Sequence, residues 1–167
     1  MQSDDTDALL KFVNRLVDDK RRGKYPDVFT GFEQKFDRKE EAEWLAGQIV
    51  RMENSDMVSV LAETSGQVVA NGAIERGGYG ETRHHGRLTL TVLPDYRGLG
   101  IGREIVKILL REARRIGLRN VEIEFLSTNE AAVHTYQRAG FKQVGSIPGK
   151  VQRGGKLMDS IIMARRV

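Results

Sequence analysis

The stretch Arg97-Gly98-Leu99-Gly100-Ile101-Gly102 decides how this sequence reads. Before it, Leu88, Leu90 and Val92 alternate with Thr89 and Thr91, the period of a β-strand. After it, Ile105, Leu109, Ala113 and Ile116 recur at helical spacing from Glu104 to Ile116, and Gly117 stands at a C-cap position. A glycine-dense turn between a strand and a helix N-terminus presents successive backbone N–H groups to an anion. The helix dipole favours negative charge there, and glycine allows close approach of the main chain. The stretch points to a ligand that contains a pyrophosphate. Glycine is abundant in this chain, 18 of 167 residues, so the strand-before, helix-after context carries that reading more than the glycines do.

Two other phosphate loops are excluded. A Walker loop needs Lys and then Ser or Thr after its last glycine, and none follows here; Gly145–Lys150 is one residue short and continues into Val151. The dinucleotide fingerprint fails because, counting from Gly98, position 103 is Arg where Gly is required. No earlier βαβ unit opens a Rossmann fold either.

A second constellation lies about 30 residues downstream, where Asn129, Ala132, Tyr136, Gly140 and Phe141 form N-x-x-A-x-x-x-Y-x-x-x-G-F. Arg97, Gly100 and Gly102 form R/Q-x-x-G-x-G/A. With both motifs in this order, the chain resembles the GNAT superfamily of acetyl-coenzyme A-dependent N-acetyltransferases from about Ala42 to Arg166. The resemblance implies a single α/β domain over residues 1–167. Its central sheet would be mixed and mostly antiparallel, flanked by helices and splayed between the family's fourth and fifth strands, here Leu88–Leu93 and Val121–Leu126. Residues 1–56 would supply the N-terminal helices and an acceptor-side loop, and residues 57–167 the cofactor-binding core.

The remaining patterns agree with that architecture. Asp7–Asp18 is an amphipathic helix through Leu9, Phe12, Leu16 and Val17. The basic stretch Lys20–Pro26 leads into a loop with Phe29, Phe32 and Phe36. Asp37 with Glu40 then makes a capping-box start for a helix through Trp44, Leu45, Ile49 and Met52. Val58–Glu63 and Gln67–Glu75 read as strands turned at Ser65-Gly66. Ala131–Ala139 reads as a short helix, and Phe141–Ser146 with Leu157–Arg165 as a hairpin-like pair.

Composition narrows the function classes. With no cysteine there is no disulfide framework, thiolate metal site or cysteine nucleophile, and no metal is expected. No apolar run has the length of a membrane span and no signal-peptide h-region is visible, so a cytoplasmic location is expected. The 27 basic and 23 acidic residues are interspersed, and Lys20–Lys24, Arg111–Arg115 and Arg165–Arg166 read as solvated faces. That distribution disfavours a nucleic-acid-binding protein, whereas a basic balance suits a strongly anionic ligand. The expected partners are acetyl-coenzyme A and an amine, with a second copy of the chain as a further candidate.

The resemblance also implies roles. The pantetheine arm would pair with main chain at Leu90, Thr91 and Val92 like an added strand, and the Val92 N–H would donate to the acetyl carbonyl. Arg97, Gly98, Leu99, Gly100, Ile101, Gly102 and Arg103 would hold the pyrophosphate, mainly through backbone amides, with Leu99 and Ile101 side chains lodged in packing. Tyr136 would protonate the departing thiolate, although its helical face also suits a core tyrosine. Asn129 would cap its helix, contact the pantetheine, or do both. For the general base, the free face of the splayed strand offers Thr89 and Thr91 in place of the acidic residue many family members carry, which favours a water relay. Glu122 and Glu124 read as structural or exposed; His84, His85, Glu33, Glu75 and Glu81 are further candidates. The acceptor amine is not legible: a polyamine, an antibiotic amine, an amino acid or a protein N-terminus all fit. The alternative function is a coenzyme A-binding sensor or assembly module without catalysis.

Overall fold

Alternation along the strands sorts side chains onto two sheet faces, and helices cover both. The computed structural model describes residues 1–26, 28, 31 and 33–167, with Ser3 through its backbone alone. Its helices are α1 (Thr6–Arg21), α2 (Arg38–Glu53), α3 (Ile101–Arg115) and α4 (Glu130–Arg138). Its strands are β1 (Met57–Thr64), β2 (Gln67–Arg76), β3 (His85–Val92), β4 (Asn120–Leu126), β5 (Lys142–Arg153) and β6 (Lys156–Arg166). They form a six-stranded sheet in the order β1-β2-β3-β4-β6-β5, antiparallel except for the β3–β4 pair. In chain order the splayed strands are therefore the third and fourth, the positions numbered fourth and fifth in the family.

One face belongs to α3. Its buried Ile105, Val106, Leu109 and Ala113 pack with Ala70, Ile74, Leu88, Val121 and Ile123 of the sheet. The helix approaches closely because β2 carries Gly72, where a Cβ would lie 2.5 Å from Ile105 Cγ2. On the opposite side α1 and α2 bury Leu9, Phe12, Leu16 and Leu45 with Val69 and Leu93. The box read at the start of α2 is formed: the Asp37 carboxylate accepts from the N–H of Lys39 and Glu40, and Glu40 accepts from the Asp37 N–H.

Three readings change. The helix after the glycine stretch begins at Ile101, three residues before the apolar repeat, so Gly102 lies inside its first turn. β5 runs past Ser146, where the sequence reading ended it, to Arg153, with register shifts between Gln143 and Gly145 and between Ile147 and Val151; as an edge strand it tolerates Pro148. Trp44, read as part of the apolar face of α2, is 42% exposed. The phenylalanines Phe29 and Phe32, and Asp27 beside them, lie outside the described residues. Among the described residues no helix is long and apolar enough to cross a membrane.

Candidate active site

The site begins where β3 and β4 part. They pair over His85–Arg87 and Asn120–Glu122 and diverge beyond, while β3 stays paired with β2 up to Val92. Leu93 N–H donates to Val69 O at 2.9 Å. Strand alternation then sends the N–H groups of Thr91 and Thr89 toward β2, and those of Leu90 and Val92 toward the gap left by β4. The divergence thus exposes a half-strand of directed backbone groups.

One end of the gap opens into a cleft of about 400 Å³ under the glycine loop. Gly98 and Gly100 have φ of +76° and +83°, and a Cβ at either would meet nothing within 4 Å. Glycine is required there by left-handed backbone conformation, not by crowding. Gly100 is the N-cap of α3. The N–H groups of Ile101, Gly102 and Arg103 therefore fall in a first turn that offers them no intrahelical acceptor, and all three residues line the cleft. Leu90, Thr91, Val92, Arg97, Gly98 and Asn129 line it too. Leu99 does not, and instead of being lodged in packing it is 69% exposed, because the two left-handed glycines around it turn it outward. Ile101 packs against both core clusters as read.

The Arg97 side chain braces the loop. Its Nε donates to Val92 O at 3.2 Å and its guanidinium lies 4.7 Å from the centroid of the Tyr25 ring. Tyr25 is buried, and among the described residues its hydroxyl has no hydrogen-bond partner. Burial, first, and the Asp19 and Asp95 charges push the phenol up to about 12, against the opposing charges of Arg97 and Arg15. Arg153, at the end of β5, donates to the carbonyls of Tyr25, Pro26 and Val28, tying the last hairpin to the segment after α1. Tyr25→Phe keeps the ring under Arg97 and removes an unsatisfied buried hydroxyl. Chemical denaturation is expected to show stability unchanged or raised by up to about 1 kcal/mol; a loss of that size would mean the hydroxyl is bonded.

A second cleft, of about 380 Å³, opens on the α1–α2 side of the sheet. Both clefts are lined by Leu90, Thr91, Asn129, Ala132 and Tyr136, so they meet at the divergence of β3 and β4. Tyr136 lies on α4, buried between Phe125 (ring centroids 5.4 Å apart) and Phe141 (5.5 Å, edge-on). Burial raises its phenol further, leaving it an uncharged proton donor. The core and cleft readings of Tyr136 are therefore both met by its position. Asn129 caps α4, its Oδ1 accepting from Ala132 N–H at 3.0 Å; the cap makes no use of its Nδ2 donors.

Of the carboxylates weighed for the base, Glu75 and Glu124 line the second cleft, with Thr89 and Thr91 beside them. Glu124, read as structural or exposed, has a side chain only 10% exposed. It accepts from Lys150 Nζ at 2.5 Å and Ser160 Oγ at 2.6 Å, with Arg87 Nη2 at 3.5 Å. Burial alone would raise its pKa, but the Lys150 and Ser160 hydrogen bonds and the Lys150 and Arg87 charges together hold it below the usual value. Glu75 pairs with Arg51 at 3.1 Å. His85 and Glu122 pair with each other at 3.3 Å at the closed end of the divergence, about 20 Å along the strand from Thr91. His84, Glu33 and Glu81 line neither cleft. Trp44, Gln48, Asn71 and Arg87 line the second cleft without having been read as site residues; only Trp44, read as part of the apolar face of a weakly amphipathic helix, carried any signal. No metal-holding group of His, Cys, Asp or Glu occurs among the described residues.

Residues 17–141 match the acetyltransferase (GNAT) family. Among curated relatives, the L-amino acid N-acyltransferase MnaT of Escherichia coli (strain K12) is 31% identical over 81 residues, 48% of this chain and 47% of MnaT. The chain thus covers about half of that relative's length. In structure it resembles an acetyltransferase of the GNAT family from Streptococcus pneumoniae (TM-score 0.85, 23% identity, 100% of this chain and 96% of that one). It also resembles yncA from Salmonella typhimurium, solved with its cofactor acetyl-CoA (TM-score 0.81, 18% identity, 99% and 90%). At those identities the likeness speaks for the fold, and the match of residues 17–141 for descent: this chain belongs to the acetyltransferase (GNAT) family.

Proposed function

We propose that the protein is an N-acetyltransferase that moves an acetyl group from acetyl-coenzyme A to a primary amine by direct attack. The observation that carries this is the half-strand Leu90–Val92, with two N–H groups directed into a gap that joins the glycine-loop cleft to the second cleft. The pyrophosphate is held at the N-terminus of α3 by the backbone of residues 97–103, with the charge of Arg97 behind it. The pantetheine extends along Leu90–Val92 as an added strand, with Asn129 contributing Nδ2. That assigns cofactor binding to residues 57–167, and the second cleft, roofed by residues 1–56, to the acceptor.

The chemistry follows from these positions. The acceptor amine loses a proton and its nitrogen attacks the thioester carbon. The Val92 N–H donates to the oxyanion, the C–S bond breaks and Tyr136 protonates the thiolate, while the second proton of the attacking nitrogen is lost to solvent and solvent reprotonates the Tyr136 phenol. Both cleft carboxylates, Glu75 and Glu124, are engaged in ion pairs, so the amine proton leaves through water. This reading includes the cytoplasmic location expected above, and no step of it requires a second copy of the chain.

The test is a panel of primary amines with acetyl-coenzyme A, read by free-thiol release and by mass of the acetylated product. Acetyl transfer to a primary amine is expected. A protein that binds acetyl-coenzyme A yet transfers to no amine would be a coenzyme A-binding module instead.

A further inference from the structure

A side crevice of about 70 Å³ branches from the second cleft between α1 and α2. Phe12, Leu16, Trp44 and Asn71 line both spaces, so the two are continuous. Its walls include three aromatic side chains, Phe12, Phe36 and Trp44, and it contains Glu41, one turn before Trp44 on α2. Glu41 is 5% exposed. Among the described residues its carboxylate has no hydrogen-bond or ion-pair partner, and burial raises its pKa with no opposing contact. The helix N-terminus eases the charge only partly. A buried, unpaired carboxylate is costly, and Leu or Gln would fill the same place more cheaply.

Aromatic faces and a buried carboxylate attract the same kind of group. Ring quadrupoles favour a cation over their faces, and a carboxylate supplies the counter-charge and the acceptor lone pairs. The aliphatic lining of Leu9, Val13 and Leu16 suits methylenes. We propose that this crevice binds the distal ammonium of the acceptor, which is therefore an alkyl diamine or polyamine. One amine is presented at the β3 edge for acetylation while a second, protonated amine is held by Glu41 among Phe12, Phe36 and Trp44. This rests on the second cleft being the acceptor site, and it adds the acceptor's chemical class.

The experiment compares α,ω-diamines with monoamines of the same carbon number, for example 1,6-diaminohexane with n-hexylamine, in the wild type and in Glu41→Gln. In the wild type the diamine is expected to have a kcat/KM at least about ten-fold higher. In Glu41→Gln that ratio should fall to near one, since the amide keeps the shape and loses the charge. Equal use of diamine and monoamine by the wild type, or an undiminished ratio in Glu41→Gln, would overturn the crevice assignment while leaving acetyl transfer intact. Transfer to neither would count against the acetyltransferase reading itself. Calorimetry of 1,6-diaminohexane against the coenzyme A-bound protein then tests the crevice without turnover: about ten-fold weaker binding in Glu41→Gln supports it, and unchanged binding overturns it. Trp44→Leu, at a half-exposed position, gives the same readout should Glu41→Gln fail to fold.

Discussion

Tyr136→Phe should lower kcat by about 10- to 1,000-fold with little change in acetyl-coenzyme A affinity, if the phenol protonates the leaving thiolate. The substitution deletes the hydroxyl and keeps the ring, so the contacts with Phe125 and Phe141 at 5.4 and 5.5 Å survive. Burial keeps the phenol protonated well above neutral pH, so its contribution does not titrate away within the physiological range. A tyrosine with only a core role predicts the reverse: turnover nearly intact and stability down by roughly 1 kcal/mol for a lost hydrogen bond. The two are separated by kcat on the true acceptor, with chemistry shown to be rate-limiting, alongside a thermal melt. Wild-type turnover would remove Tyr136 from the mechanism.

Gly100→Val is expected to weaken acetyl-coenzyme A binding more than ten-fold, above about 1.4 kcal/mol, with the fold retained. Gly100 has φ +83° and open space around its Cβ position. The damage therefore comes from forcing a β-branched residue into the left-handed region, which re-aims the N-cap of α3 and the amides behind it. The valine side chain would also stand where the pyrophosphate must approach the backbone. α3 remains anchored through Ile105, Val106 and Leu109. Gly117 supplies the control, since it lies just past the other end of α3 with φ +85° and nothing within 4 Å. Gly117→Val should lose similar stability and keep its affinity. Equal affinity in Gly100→Val and wild type, measured by calorimetry on folded protein, would detach this loop from the pyrophosphate.

Gly102 shows why position alone did not reveal what each loop glycine does. Its Cβ would meet Leu90 and Val92 at 3.4 and 3.8 Å, ordinary contact distances, and its φ is not left-handed, so neither crowding nor conformation requires glycine there, whereas Gly98 and Gly100 serve backbone conformation. Leu99 makes a similar point. An apolar residue between glycines reads as packed, yet two left-handed neighbours point it at solvent.

Local pattern sufficed for the order of elements, the α2 capping box, the strand-loop-helix arrangement around the glycines and the two family motifs, because each depends on residues within a few positions of one another. It could not tell which carboxylates share a cleft. Glu122 and Glu124 are equivalent by alternation on one strand. Tertiary structure separates them, closing β3 onto β4 at Glu122 and meeting Glu124 with Lys150, Ser160 and Arg87. Glu41 reads as one more acid in the first turn of a charged helix, and becomes a buried carboxyl without a partner among the described residues only when α1 and Phe36 pack around it. The motifs of this chain are local, so its family was written in the sequence. Burial and charge pairing depend on residues far apart in the chain, so the shape and polarity of the second cleft were decided by packing alone.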